Sequence, residues 1–208
     1  MVRRGSDKYE AILNAAINVF ADVGYHAAQV SRIAREAGVA DGTIYLYFTN
    51  KADVLISVFR ESMGGYVERL KAALAEEPDA RAKLRRLVVE HFRSLADNVP
   101  LAVVMQIELR QSDPDIRAGI APILKAYLDV IDALIDEGKR EGAFRRDIDT
   151  HVMRKMIFGT LDEVVTSWVM ARRRRDLMAL AEPVLRLLLD GLGGRIGDPT
   201  APDKEVDA

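Results

Sequence analysis

Apolar residues recur at helical spacing along almost the whole chain, so that it reads as helices throughout. A stripe of Ile12, Ala15, Ala16, Val19 and Phe20 predicts a first helix from about Asp7 to Val23, ended by Gly24. Val30, Ile33, Ala34 and Ala37 then share one face, and Gly38 follows where a helix stops on a residue tolerant of positive φ. The chain restarts at once. Asp41 is placed to cap a short helix from Gly42 to Phe48, with Ile44 and Phe48 inward and Thr43, Tyr45 and Tyr47 on other sides. Asn50 and Asp53 read as an N-cap pair for a long helix from Lys51 to Ala75. Beyond Pro78, helices are expected at Ala80–Asn98, Pro100–Gln111, about Ile116–Glu141, Asp149–Arg172 and Asp176–Leu192. Ser112 to Asp115 makes a turn and new cap, and Pro183 either kinks the last helix or marks its first turn. The expected fold is all-α with about nine helices: a three-helix head over residues 1–50, a larger helical domain over 51–193, and a polar, disordered tail over 194–208.

Two helices are too apolar for one buried face. The eighth carries Val152, Met153, Met156, Ile157, Phe158, Leu161, Val164, Val165, Trp168 and Val169, and Leu177 to Leu192 is similar. Burial inside a monomer is one reading. The preferred one is a symmetric homodimer whose last two helices form a four-helix bundle, with Val152, Met156, Val165, Val184 and Leu188 at the interface.

Composition narrows the function. The 208 residues are 49% hydrophobic, enough for a sizeable core. The absence of cysteine removes disulfides and thiolate chemistry, and fits a cytoplasmic protein. No signal-peptide core or membrane-length apolar run is apparent, so no membrane association is expected. His26, His91 and His151 lack the spacing of a helical metal pair, and neither GxSxG nor GxxxxGK[ST] occurs. The expectation is a protein that is not an enzyme and carries no catalytic residue, metal or cofactor. Charge adds little: residues 1–60 hold seven Lys and Arg against six Asp and Glu, and the rest 23 against 26.

The most informative segment is Gln29–Lys51, two short helices around a glycine turn ending in an aromatic, basic patch. A helix as short as the second buries little, and its hydroxyls suit a surface rich in acceptors, such as double-stranded DNA. The candidate DNA-contacting residues are Gln29, Ser31, Arg32, Asp41, Gly42, Thr43, Tyr45, Tyr47 and Lys51, with Arg3, Arg4, Lys8 and Arg35 nearby. Gly24-Tyr25, Val30, Ile33-Ala34, Ala37-Gly38-Val39, Gly42-Thr43-Ile44-Tyr45, Tyr47-Phe48, Lys51 and Leu55 resemble the DNA-binding domain of TetR-family transcriptional repressors. Gln29 stands where that family more often has threonine. The resemblance implies the dimer already suggested, and a twofold axis would set two recognition helices on a near-palindromic operator with half-sites about 34 Å apart or a multiple.

The likeness extends beyond the head. Tyr25 to Leu55, LAVVMQIELRQSDPDIR (Leu101–Arg117) and MIFGTLDEVVTSWVM (Met156–Met170) are similar to acyl-CoA-responsive TetR-type repressors of fatty-acid degradation in Bacillus-like bacteria. That implies release from the operator by long-chain acyl-CoA, with another hydrophobic ligand or drug as the alternative effector. A helical binding protein that does not regulate genes is a further alternative. A fatty chain needs an apolar tunnel, which Met63, Tyr66, Val104, Met105, Leu109, Ile123, Tyr127, Phe158 and Trp168 could line, and its phosphates need cations such as Arg93, Arg110 and Arg117. Core filling is the plainer role for each apolar residue. His91 lies on an apolar stripe and is expected to be a hydrogen-bonded core residue, whereas Glu108, on the face of Leu101, Val104 and Met105, must find a partner on burial. Arg172 to Arg175 reads as cations at a helix C-terminus. Ligand entry is expected to move the long fourth helix and so the spacing of the two heads.

Overall fold

The computed structural model describes residues 7–171 and 175–193. Arg3 and Arg4, three residues of the arginine run and the expected tail lie outside them. The described residues form nine α-helices, with an isolated β-bridge between Phe144 and Gly193. They are α1 (Asp7–Ala27), α2 (Val30–Glu36), α3 (Asp41–Ile44), α4 (Lys51–Ala75), α5 (Ala80–Ala96), α6 (Val99–Glu108), α7 (Pro114–Glu141), α8 (Thr150–Met170) and α9 (Ala181–Leu192), the last preceded by a 3-10 turn at Met178–Leu180. None is long and apolar enough to cross a membrane.

Helix boundaries follow local chemistry. Asn50 Oδ1 accepts the Asp53 amide at 2.9 Å while Asp53 Oδ2 accepts the Thr49 amide at 2.9 Å, a reciprocal cap that starts α4. Asp79, Asn98, Asp113 and Asp149 cap α5 to α8, each side chain accepting a backbone amide of the first turn. Pro183 sits in the first turn of α9, where its missing N–H costs no hydrogen bond. Asp41 does not cap α3. Ala40 holds the cap position, Asp41 is the first helical residue, and α3 ends at Ile44, with the chain reaching Phe48 through turns.

Ile12, Ala16, Phe20, Ile33, Ala34, Ile44 and Phe48 form the core of the head, continuous with Val54, Leu55 and Val58 of α4. Helix α4 packs against α1 in the head and runs on against α7, while α6 lies against α1 and α8. Two helices of the larger domain therefore touch the head directly. The last two helices turn much of their apolar surface inward: Val165, Val184 and Leu188 are buried within the protomer, against α5 to α7 and each other. The expectation that these three form a dimer surface is thus corrected. Val152, Met156 and Leu187 remain, 48%, 49% and 73% exposed on the outer faces of α8 and α9.

Candidate DNA-binding and effector sites

Two glycines shape the head. Gly24 has φ +75°, which breaks the helical path between Val23 and Tyr25, and Gly38 has φ +68°, which turns the chain from α2 into α3. The exposed surface that results presents Gln29, Arg32, Asp41, Gly42 and Tyr45, with Ser31, Thr43 and Tyr47 half-buried. Gln29 occupies the α2 cap position with extended backbone and no side-chain cap bond, so its amide is free for another partner. Arg32 pairs with Asp22 of α1, an exposed ion pair of small worth that a phosphate can replace. Tyr47 leans its ring on Tyr9 at 6.1 Å, which fixes its direction. Leu46, 68% exposed beside Tyr45, was not among the sequence candidates, because an apolar residue in a helical motif reads as core.

Lys51 departs most from expectation. Its Nζ donates to the carbonyls of Tyr25, His26 and Ala28 at 2.7, 3.2 and 2.9 Å and lies 4.5 Å from the Tyr25 ring centroid. All three ammonium protons therefore serve the end of α1. Partial burial lowers its pKa against the favourable charge of Glu108. Lys51 stabilises the joint between α1 and α4; a primary phosphate contact, as the sequence suggested, does not fit this geometry.

Inside the larger domain a cavity of about 110 Å³ lies among α4, α5, α6, α7 and α8. Phe59, Met63, Leu95, Leu101, Met105, Leu109, Leu124 and Phe158 form its apolar wall, and Tyr66, His91, Gln106, Tyr127 and Asp162 add polar atoms. Met63, Tyr66, Met105, Leu109, Tyr127 and Phe158 are thus brought together as the sequence proposed. Trp168 is not part of the lining. It is buried beyond the cavity and donates Nε1–H to the Arg175 carbonyl at 2.8 Å. Arg93 lies exposed on α5 near Glu90, and Arg117 is exposed near the start of α7, so neither reaches the cavity. Arg110 stands just outside it, bonded to Asp162 and to the Gln106 carbonyl. The cation that does line the cavity is Arg69, one turn from Tyr66, whose place on the polar side of a long helix gave no sequence signal.

Polar groups here are held by one another. His91 Nδ1 is 2.9 Å from the Tyr127 hydroxyl, and Thr166 donates to Gln106 Oε1 at 2.8 Å. Burial pushes the His91 pKa down to about 4 and raises the Tyr66 and Tyr127 hydroxyls above the usual tyrosine value, so all three are neutral near pH 7. His91 is thus both a hydrogen-bonded core residue and part of the lining. Its Nε2 is buried without a partner, which leaves a polar atom to meet whatever enters.

Residues 12–58 match the family described as bacterial regulatory proteins, tetR family, and residues 59–191 match the C-terminal region of YsiA-like protein. The chain is 49% identical to the fatty acid metabolism regulator protein of Bacillus subtilis over 89% of its own length and 95% of that protein's. The chain belongs to the TetR family. Among solved TetR-family structures, it resembles the fatty acid degradation regulator FadR of Bacillus halodurans, with a TM-score of 0.85 and 53% identity over 88% of this chain and 99% of that one. It has the same TM-score and 48% identity, over 88% and 99% of the two chains, to FadR of Bacillus subtilis solved in complex with stearoyl-CoA.

Proposed function

We propose that this TetR-family protein is a cytoplasmic homodimeric repressor of fatty-acid degradation genes, released from a near-palindromic operator when a long-chain acyl-CoA enters the cavity of the larger domain. The observation that carries this is the cavity itself: an apolar chamber bounded by α4 and α6, the two long-domain helices that touch the head, in a chain 48% identical to a stearoyl-CoA complex. Its 110 Å³ is below the roughly 300–1,000 Å³ of pockets that enclose extended ligands, so an acyl chain must part these helices to enter. A ligand that binds better to the parted arrangement shifts the population away from the one that fits DNA. Val152, Met156 and Leu187 supply the exposed apolar face for the partner subunit. Gln29, Ser31, Arg32, Gly42, Thr43 and Tyr45 supply the surface for the operator.

The small cavity also favours a second reading, a compact hydrophobic effector other than acyl-CoA. A mobility shift on promoter fragments of fatty-acid oxidation genes separates them. Release by stearoyl-CoA, with no effect of CoA or stearate alone, is the expected result; binding that no acyl compound reverses would remove the effector assignment and leave the regulator.

A further inference from the structure

Glu108, the last residue of α6, is buried at 4% exposure on the side of that helix turned toward α1. Its Oε1 accepts the backbone N–H of Tyr25 at 2.9 Å, and its other oxygen takes the Gln111 side-chain amide, itself buried. Tyr25 follows Gly24, the break in α1, and its carbonyl is the one Lys51 holds at 2.7 Å. The short segment at the end of α1 is therefore gripped from two sides, by the head's own α4 through Lys51 and by α6 through Glu108. Met105, about one turn earlier on α6, Gln106, two residues earlier, and Leu109, the next residue and roughly 100° round the axis, line the cavity. This ten-residue helix thus carries the chamber lining and the contact to the head on adjoining faces, with Leu101 and Met105 close to the face of Glu108.

We propose that Glu108 is the positioning residue that carries the state of the cavity to the DNA-binding head, latching Tyr25 while the cavity is contracted and releasing it when α6 is displaced. A buried carboxylate whose hydrogen bonds come from neutral N–H groups, with the Lys51 ammonium nearby but bonded to carbonyls, is costly to leave short of a donor, and losing one favours rearrangement over a small continuous shift. The latch is therefore suited to two discrete positions. Because it joins backbone to side chain, no second side chain in the head is needed to receive it. The proposal rests on the acyl-CoA reading of the cavity.

The test uses the full-length protein and stearoyl-CoA as probe. Operator affinity is measured with and without saturating stearoyl-CoA for wild type, Glu108→Ala and Glu108→Gln, with direct titration of stearoyl-CoA into each. In wild type the ligand should weaken operator binding by roughly 100-fold. Glu108→Ala should bind the operator about tenfold or more weakly without ligand, lose under about threefold more with it, and still take up stearoyl-CoA. Glu108→Gln keeps a carbonyl acceptor for Tyr25 and should behave as wild type. A merely structural Glu108 would lower stability or both affinities but leave the ligand-dependent ratio intact, which would overturn the proposal. Should Glu108→Ala fail to fold, amide exchange in wild type decides. Stearoyl-CoA should speed exchange at Tyr25 by about tenfold or more, and unchanged protection there would equally overturn the latch. A wild-type protein that stearoyl-CoA binds without releasing would instead refute the effector reading, and the latch with it.

Discussion

The head and the larger domain differ in what they bury. From Asp7 to Phe48, every buried residue is apolar or aromatic. Beyond Asn50 the buried set includes Ser57, His91, Gln106, Glu108, Gln111 and Asp162, and all of these but Ser57 lie on α6, just after it, or at the cavity. An apolar core has one best packing, so the head behaves as a rigid body. Polar groups bonded in pairs across helices can exchange partners, so the larger domain has a way to adopt two arrangements. Reading thus falls to the part with the apolar core and sensing to the part with exchangeable polar pairs.

The largest effect expected is from breaking the rigid part. Phe20→Ala, at a side chain that is 1% exposed, should cost about 3–5 kcal/mol and abolish operator binding, as thermal unfolding and anisotropy would show. His91 gives the corresponding test in the larger domain. Its folded pKa is near 4 and an unfolded histidine titrates near 6.5, so between these values the unfolded chain takes up a proton the folded one resists. Stability present above pH 6.5 should therefore fall by up to about 3 kcal/mol as the pH drops to 4, and His91→Gln should flatten that slope in denaturant titrations.

Lys51→Met sharpens the boundary between the two regions. Losing its three carbonyl bonds should weaken operator binding by about 2 kcal/mol while leaving the slope of log affinity against log salt unchanged. A slope reduced by about 1 would return Lys51 to the phosphate contacts. Smallest are changes on the reading face: Tyr45→Phe should cost about 1 kcal/mol of operator affinity and leave folding and stearoyl-CoA binding as they were.

Legibility in the sequence followed the same division. The head is a contiguous motif whose glycines, caps and stripes lie within a few turns of one another, so local rules place Gly24, Gly38, Ile33, Ile44 and the Asn50–Asp53 cap. Most helix starts in the larger domain were also readable, because Asp79, Asp113 and Asp149 act locally, but the last helix, expected from Asp176, begins at Ala181 after a 3-10 turn, and α6 ends at Glu108 short of Gln111. The cavity is assembled from five helices distant in the chain. Periodicity could propose Met63, Tyr66 and Phe158 for an apolar interior, but nothing local shows that Trp168 lies beyond the chamber or that Arg69 borders it. Val165, Val184 and Leu188 failed as interface candidates for a related reason: a helix apolar on most of its circumference does not declare which side meets its own subunit. Lys51 read as a DNA contact and Glu108 as a carboxylate needing a partner, yet Lys51 holds backbone carbonyls more than twenty residues away, and Glu108 takes the distant Tyr25 N–H as well as the nearby Gln111 amide.

The central claim is that cavity and operator surface are two ends of one equilibrium. The direct test measures operator affinity with and without saturating stearoyl-CoA and, on the same protein, stearoyl-CoA affinity with and without saturating operator. Linkage requires the two factors to be equal, and the account predicts about 100-fold weakening in both directions. A factor near one in either direction would contradict it.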